Sequence, residues 1–147
     1  VIKGASTSAF GGGNDVDDNS KGAFGADTSH GAYVSMPTGY ALEVAGQNGY
    51  AKDISNPETR KFISNCLKVQ ATNPKTGQTA LIPVGDIGPS DSVLTSKKYG
   101  DVTCKYVNNG NNGLFDMTPD ALKSIGLPSG ANSGGGTIDA KVINTCA

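Results

Sequence analysis

The sequence predicts one mainly β domain spanning residues 1–147: a six-stranded β-barrel with two short helices and long loops. Three observations predict it. Glycine is abundant, at 21 of 147 residues, and Ser, Thr and Asn are frequent while strong helix formers are scarce. Several short segments alternate apolar and polar residues between Gly, Pro and Asn clusters, which is the pattern of strands and turns. Only two stretches carry both a cap and a proline at the start of a helix.

The elements follow in order. "KGASTSAF" (3–10) predicts a first strand, with Ala5, Thr7 and Ala9 on one face and Ser6, Ser8 and Phe10 on the other. A glycine- and acid-rich loop, "GGGNDVDDNSKGAFG", comes next. "AYVSM" (32–36) predicts a short strand ended by Pro37, and "YALEVA" (40–45) alternates and predicts another. "SNPETRKFISN" (55–65) predicts a helix: Asn56 is a good N-cap, Pro57 suits the first helical position, and Glu58 complements the positive helix end. "CLKVQAT" (66–72), "NPKTG" (73–77) and "QTALIPV" (78–84) read as a hairpin. Residues 90–113 read as a long irregular insertion. "LFDM" (114–117) predicts a strand. "TPDALKSIG" (118–126) predicts a helix capped by Thr118 and stopped by Gly126. "TIDAKVINT" (137–145) predicts the last strand.

Composition excludes some functions. The net charge is −1 and Arg60 is the sole arginine, so the basic face that a nucleic-acid partner needs is missing. No run of about 18 apolar residues spans a membrane. The low-charge Gly/Ser/Thr/Asn texture predicts a secreted, extracellular protein. Cys66, Cys104 and Cys146 match no zinc spacing and allow one internal disulfide. The pairing expected is Cys104–Cys146, because a tether suits the 90–113 insertion and the end of the last strand, while Cys66 reads as a small buried apolar residue. The oxygens at 15, 17 and 19 match the start of a calcium loop. Ser20 and Ala26 stand where such a loop needs Gly and Glu, so Asp17 and Asp18 read as a solvated turn. No metal and no cofactor is expected.

Two aspartates stand out chemically. Asp116 lies between Phe115 and Met117 at a strand end, an apolar setting that favours the protonated carboxyl a general acid needs. Thr118 already caps the following helix, which weakens the competing view of Asp116 as a helix-start charge. Asp86 sits in "IPVGDIGPSDS", a strand end running into a turn that Gly85, Gly88 and Pro89 can form unaided. It reads either as a presented carboxylate or as an Asx-turn residue.

Taken together, "LKVQATNPKTGQTALIPVGDIGP" and the later "FDMTPDALKSIGL" resemble the double-psi β-barrel of the rare lipoprotein A family. Asp86, Gly88 and Pro89 match that family's "DRGP" motif, with Ile87 replacing its arginine; Asp116, Met117 and Thr118 match its second motif. The opening "STSAFGGGND" is similar to the first strand of expansins and barwin-like proteins, and glycoside hydrolase family 45 shares the barrel. Residues 38–65 and 90–113 then read as insertions. The resemblance implies a monomeric protein acting on a cell-wall polysaccharide, peptidoglycan or another β-1,4-glycan, by cleaving glycosidic bonds as a glycoside hydrolase or lytic transglycosylase, with Asp116 as general acid and Asp86 or Asp15 as second carboxylate. The alternatives it leaves open are an expansin-like wall-binding module and a barwin-like protease inhibitor. The family's histidine position is occupied here by Val34 or Ser35, and the lone histidine, His30, comes a few residues early. Phe10, Phe24 and Tyr33, with His30 and Ser90, are the expected substrate contacts in a chain that has no tryptophan.

Overall fold

The computed structural model describes residues 2–10, 24, 30–87, 94–99, 102–108, 115–130 and 134–147, with 94–99 and 102–108 described by their backbone. Its strands are β1 (Ile2–Ser8), β2 (Val34–Met36), β3 (Leu67–Thr72), β4 (Thr79–Ile87), β5 (Leu94–Tyr99), β6 (Val102–Asn108), β7 (Asp116–Met117) and β8 (Gly135–Asn144). Its helices are α1 (Thr38–Gln47), α2 (Pro57–Cys66) and α3 (Pro119–Ser124).

Six strands form one sheet in the order β1-β8-β3-β4-β2-β7. Its two ends meet where Ala9, just beyond β1, bridges to Met117 of β7 and the Phe10 amide donates to the Met117 carbonyl at 3.0 Å. The sheet is thereby a nearly closed barrel. All neighbouring pairs are antiparallel except β2 with β4. The predicted alternation decides which side faces inward: Ala5 and Thr7 are buried while Ser6 is exposed, and Val69, Ala71, Ile82, Val84, Ile138 and Ala140 fill the interior from β3, β4 and β8.

The two predicted helices form with the expected caps. Asn56 accepts from the Glu58 and Thr59 amides at 2.9 and 3.2 Å, and Pro57 opens α2. Phe62, Ile63 and Cys66 form its buried face. Thr118 Oγ1 accepts from the Ala121 amide, and Gly126 ends α3 at φ 73° while the amides of Gly126 and Leu127 return to Lys123 and Leu122.

Four expectations are corrected. Residues 40–45 are not a strand but part of α1, so the described residues form three helices rather than two. Six alternating residues are too few to separate period 2 from period 3.6. Ala41 and Ala45 share a helical face, both are fully buried, and Ala, Leu and Glu favour the helix. The 90–113 segment is not irregular throughout, because β5 and β6 pair as an antiparallel hairpin from Leu94↔Asn108 to Tyr99↔Val102. Asp86 does not sit in a turn, since β4 continues through Ile87. The disulfide joins Cys66, not Cys104, to Cys146, with Cα atoms 5.2 Å apart. The cause is β3–β8 pairing: Leu67 faces Asn144, which brings Cys66 beside the residues that follow β8, and Thr145 bonds the Cys66 carbonyl through both its amide and its hydroxyl.

Asn73 ties the β3–β4 turn to the end of α3. It is 3% exposed, donates Nδ2 to the Ile125 carbonyl at 2.9 Å, and accepts the Lys75 amide on Oδ1 at 3.0 Å. Asn73→Ala strands both partners, so it is expected to cost about 1–3 kcal/mol. Urea unfolding should show a lower midpoint with an unchanged m value.

Candidate functional site

β2 is the strand around which the site is built. It lies between β4, its parallel neighbour, and β7, its antiparallel neighbour. Ser35 is in register with Asp86 on one side and with Asp116 on the other. Residues paired across a sheet project to the same face. Val34 and Met36 are fully buried toward the core, so Ser35 and the two aspartates belong to the opposite, outer face. Ser35 is 6% exposed; both aspartates are half-buried.

A bulge makes this alignment. Val34 pairs with Val84, yet the next residue, Ser35, pairs with Asp86, so Gly85 is an extra residue in β4. Without it Ser35 would face Gly85 and Asp86 would shift to the other side of the strand. The glycine is also a steric requirement. A Cβ at position 85 would lie 2.5 Å from Cδ1 of Tyr33, so the Tyr33 ring occupies the space a side chain would take. Tyr33 immediately precedes β2, and its ring lies over Gly85, next to Asp86.

Asp116 is held from the far side by β1. The Ser8 hydroxyl donates to Asp116 Oδ1 at 2.5 Å, across the point where the barrel closes. The outer face therefore carries a row across four strands: Asp86, Ser35, Asp116 and Ser8. Asp86 Oδ1 accepts the Ile87 amide at 2.9 Å, a local bond that orients the carboxylate within the strand.

The segment leading into β2 is pinned next to the row. Thr118, 1% exposed, donates its hydroxyl to the Gly31 carbonyl and accepts the Tyr33 amide, both at 2.9 Å. The Gly31 amide donates to Asp120 Oδ2 at 3.1 Å. His30, exposed, is thus anchored beside the start of α3. Phe10, two residues beyond Ser8, adjoins β7 through its amide.

Phe24 is placed differently. Its ring lies 5.3 Å from the Arg60 guanidinium and, with Pro57, Lys61 and Ser64, walls an open depression of about 370 Å³ on α2. Asp15 and Ser90, like Asp17 and Asp18, lie outside the described residues. Among the described residues, no three His, Cys, Asp or Glu side chains cluster as a metal site would require, and no helix is long and apolar enough to cross a membrane.

Sequence reasoning named Asp86, Asp116 and Tyr33 but missed Ser35 and Ser8. The signal for Ser8 was present, since alternation puts it with Phe10 on the outer face of β1. The signal for Ser35 was absent, because its importance depends on register with two strands about fifty and eighty residues away. No protein-family model, curated protein or solved structure matches the chain, so the site stands on its own geometry.

Proposed function

We propose that the protein is a secreted, polysaccharide-active double-psi β-barrel that cleaves glycosidic bonds. The observation that carries this reading is the register of Asp86 and Asp116 on either side of Ser35, on one outer face. Glycosidic cleavage uses two carboxyl groups flanking one bond. Asp116 is the general acid that protonates the leaving oxygen, and Asp86 is the second carboxylate. The Ser8 hydroxyl suits an acid that cycles, because it donates to Oδ1 and so stabilises the carboxylate left after each proton transfer. Tyr33 offers a ring beside the row on which a sugar face can rest. The mixed parallel and antiparallel pairing supports the double-psi reading, and a disulfide supports an oxidising, extracellular setting.

Strands lie about 4.8 Å apart, so Asp86 and Asp116 stem from backbones about 9.6 Å apart. A separation of that order lies nearer the about 6.5–9.5 Å between the carboxyls of an inverting pair, with a water between, than the about 5–5.5 Å of a retaining pair. Asp86 then activates the water. The expected result is soluble product from at least one of peptidoglycan, chitin and β-glucan, with the first product released in the inverted anomeric form by NMR. Binding to a polymer without soluble product would favour the expansin-like wall-binding module instead.

A further inference from the structure

We propose that Ser8 is a positioning residue for Asp116: it fixes the carboxyl orientation and lowers the energy of its charged form. The catalytic consequence rests on the glycosidase reading above; the coupling between the two side chains does not. The two residues are separated by 108 positions, and a hydrogen bond of 2.5 Å joins their side chains where the barrel closes. The backbone holds that geometry on both sides. Ala9, next to Ser8, bridges to Met117, next to Asp116, and the Phe10 amide donates to the Met117 carbonyl at 3.0 Å. Ser8 itself is fixed by pairing with Gly135 of β8. Gly135 has φ 106°, and a Cβ there would lie 2.8 Å from the Ser8 Cα, so β8 can press against β1 at this point only with glycine.

A carboxyl oxygen that accepts a hydroxyl proton is the poorer home for a proton of its own. Ser8 therefore holds Oδ1 as an acceptor and fixes the orientation of the carboxyl. It also makes deprotonation easier, because a donor stabilises the carboxylate. Proton delivery and recovery by one group need both effects, since the acid must lose its proton in each turnover and regain it before the next.

The test is the pH titration of the Asp116 carboxyl carbon, followed by NMR in wild type and variants. Ser8→Ala should raise the midpoint by about one pH unit, the size expected when a hydrogen bond to a charged group is lost. Ser8→Thr, which keeps the hydroxyl, should leave it within a few tenths of a unit. Ser8→Cys, a weaker donor of similar volume, should fall between, and it gives the same reading if the alanine variant does not fold. In turnover, Ser8→Ala should move the alkaline limb of the pH–rate profile upward and lower kcat about tenfold with KM little changed. An unmoved midpoint in Ser8→Ala and Ser8→Cys overturns the proposal. A shifted midpoint in a protein that releases no sugar from any polymer upholds the coupling and removes the glycosidase reading.

Discussion

If the protein is the glycosidase proposed above, Asp116→Asn should lower turnover about 10²–10⁴-fold, the usual worth of a general acid, while folding and polymer binding stay nearly intact. Asparagine retains an oxygen that can accept from Ser8, so the 2.5 Å contact at the closing strands survives in kind. What it loses is the proton. Asp120→Asn removes the same charge from the first turn of α3, where Asp120 is exposed and accepts the Gly31 amide. That change should cost only the helix-end interaction, roughly 0.3–1 kcal/mol, and leave turnover close to wild type. Comparing initial rates and thermal unfolding of the two variants separates chemistry from helix electrostatics. Equal, small losses in both would make Asp116 structural and leave the wall-binding reading ahead.

Breaking the disulfide should have the largest effect on stability. Cys66 and Cys146 are 80 residues apart, and the chain-entropy treatment of a loop that long gives about 4.5 kcal/mol. At about 2–4 °C per kcal/mol for a domain of this size, Cys146→Ser should lower Tm by about 10 °C or more. Cys146 is exposed, so its replacement leaves no cavity, and the loss reports the tether itself. Cys104→Ser should leave Tm within a degree or two, because Cys104 is outside the bridge. Scanning calorimetry of the two variants side by side distinguishes these outcomes. A large loss in Cys104→Ser alone would contradict the pairing.

The parts of the fold that were legible in the sequence are the ones coded locally. The β3–β4 hairpin follows from alternation on both sides of "NPKTG", and α2 and α3 follow from Asn56-Pro57 and Thr118-Pro119. The strand predicted at 40–45 failed because its apolar residues satisfy either period, and packing of Ala41 and Ala45 into the core decided for the helix. The β5–β6 hairpin had a signal that went unused: "VLTSKKY" and "VTCKYV" are rich in β-branched and aromatic residues and are separated by Gly-Asp. Asp86 and Asp116 could be named from their neighbours, but their alignment could not. It depends on one extra glycine in β4 and on pairing with a strand some fifty residues earlier. The cysteine pairing is of the same kind, since the register of Leu67 with Asn144 is set by the sheet rather than by either cysteine's surroundings.

Among the described residues the barrel closes through one bridge, Ala9 to Met117, whereas β3 pairs continuously with β8 from Leu67 to Thr72. Local opening is easiest where the fewest backbone bonds must break. The contact that opens first is therefore also the one that joins Ser8 to Asp116. On warming, the chemistry would be dismantled while most of the sheet remained paired and the tether between Cys66 and Cys146 still held the chain's end in place. On the glycosidase reading, loss of activity would then precede melting and reverse on cooling, with the closure rather than the core setting the working temperature range.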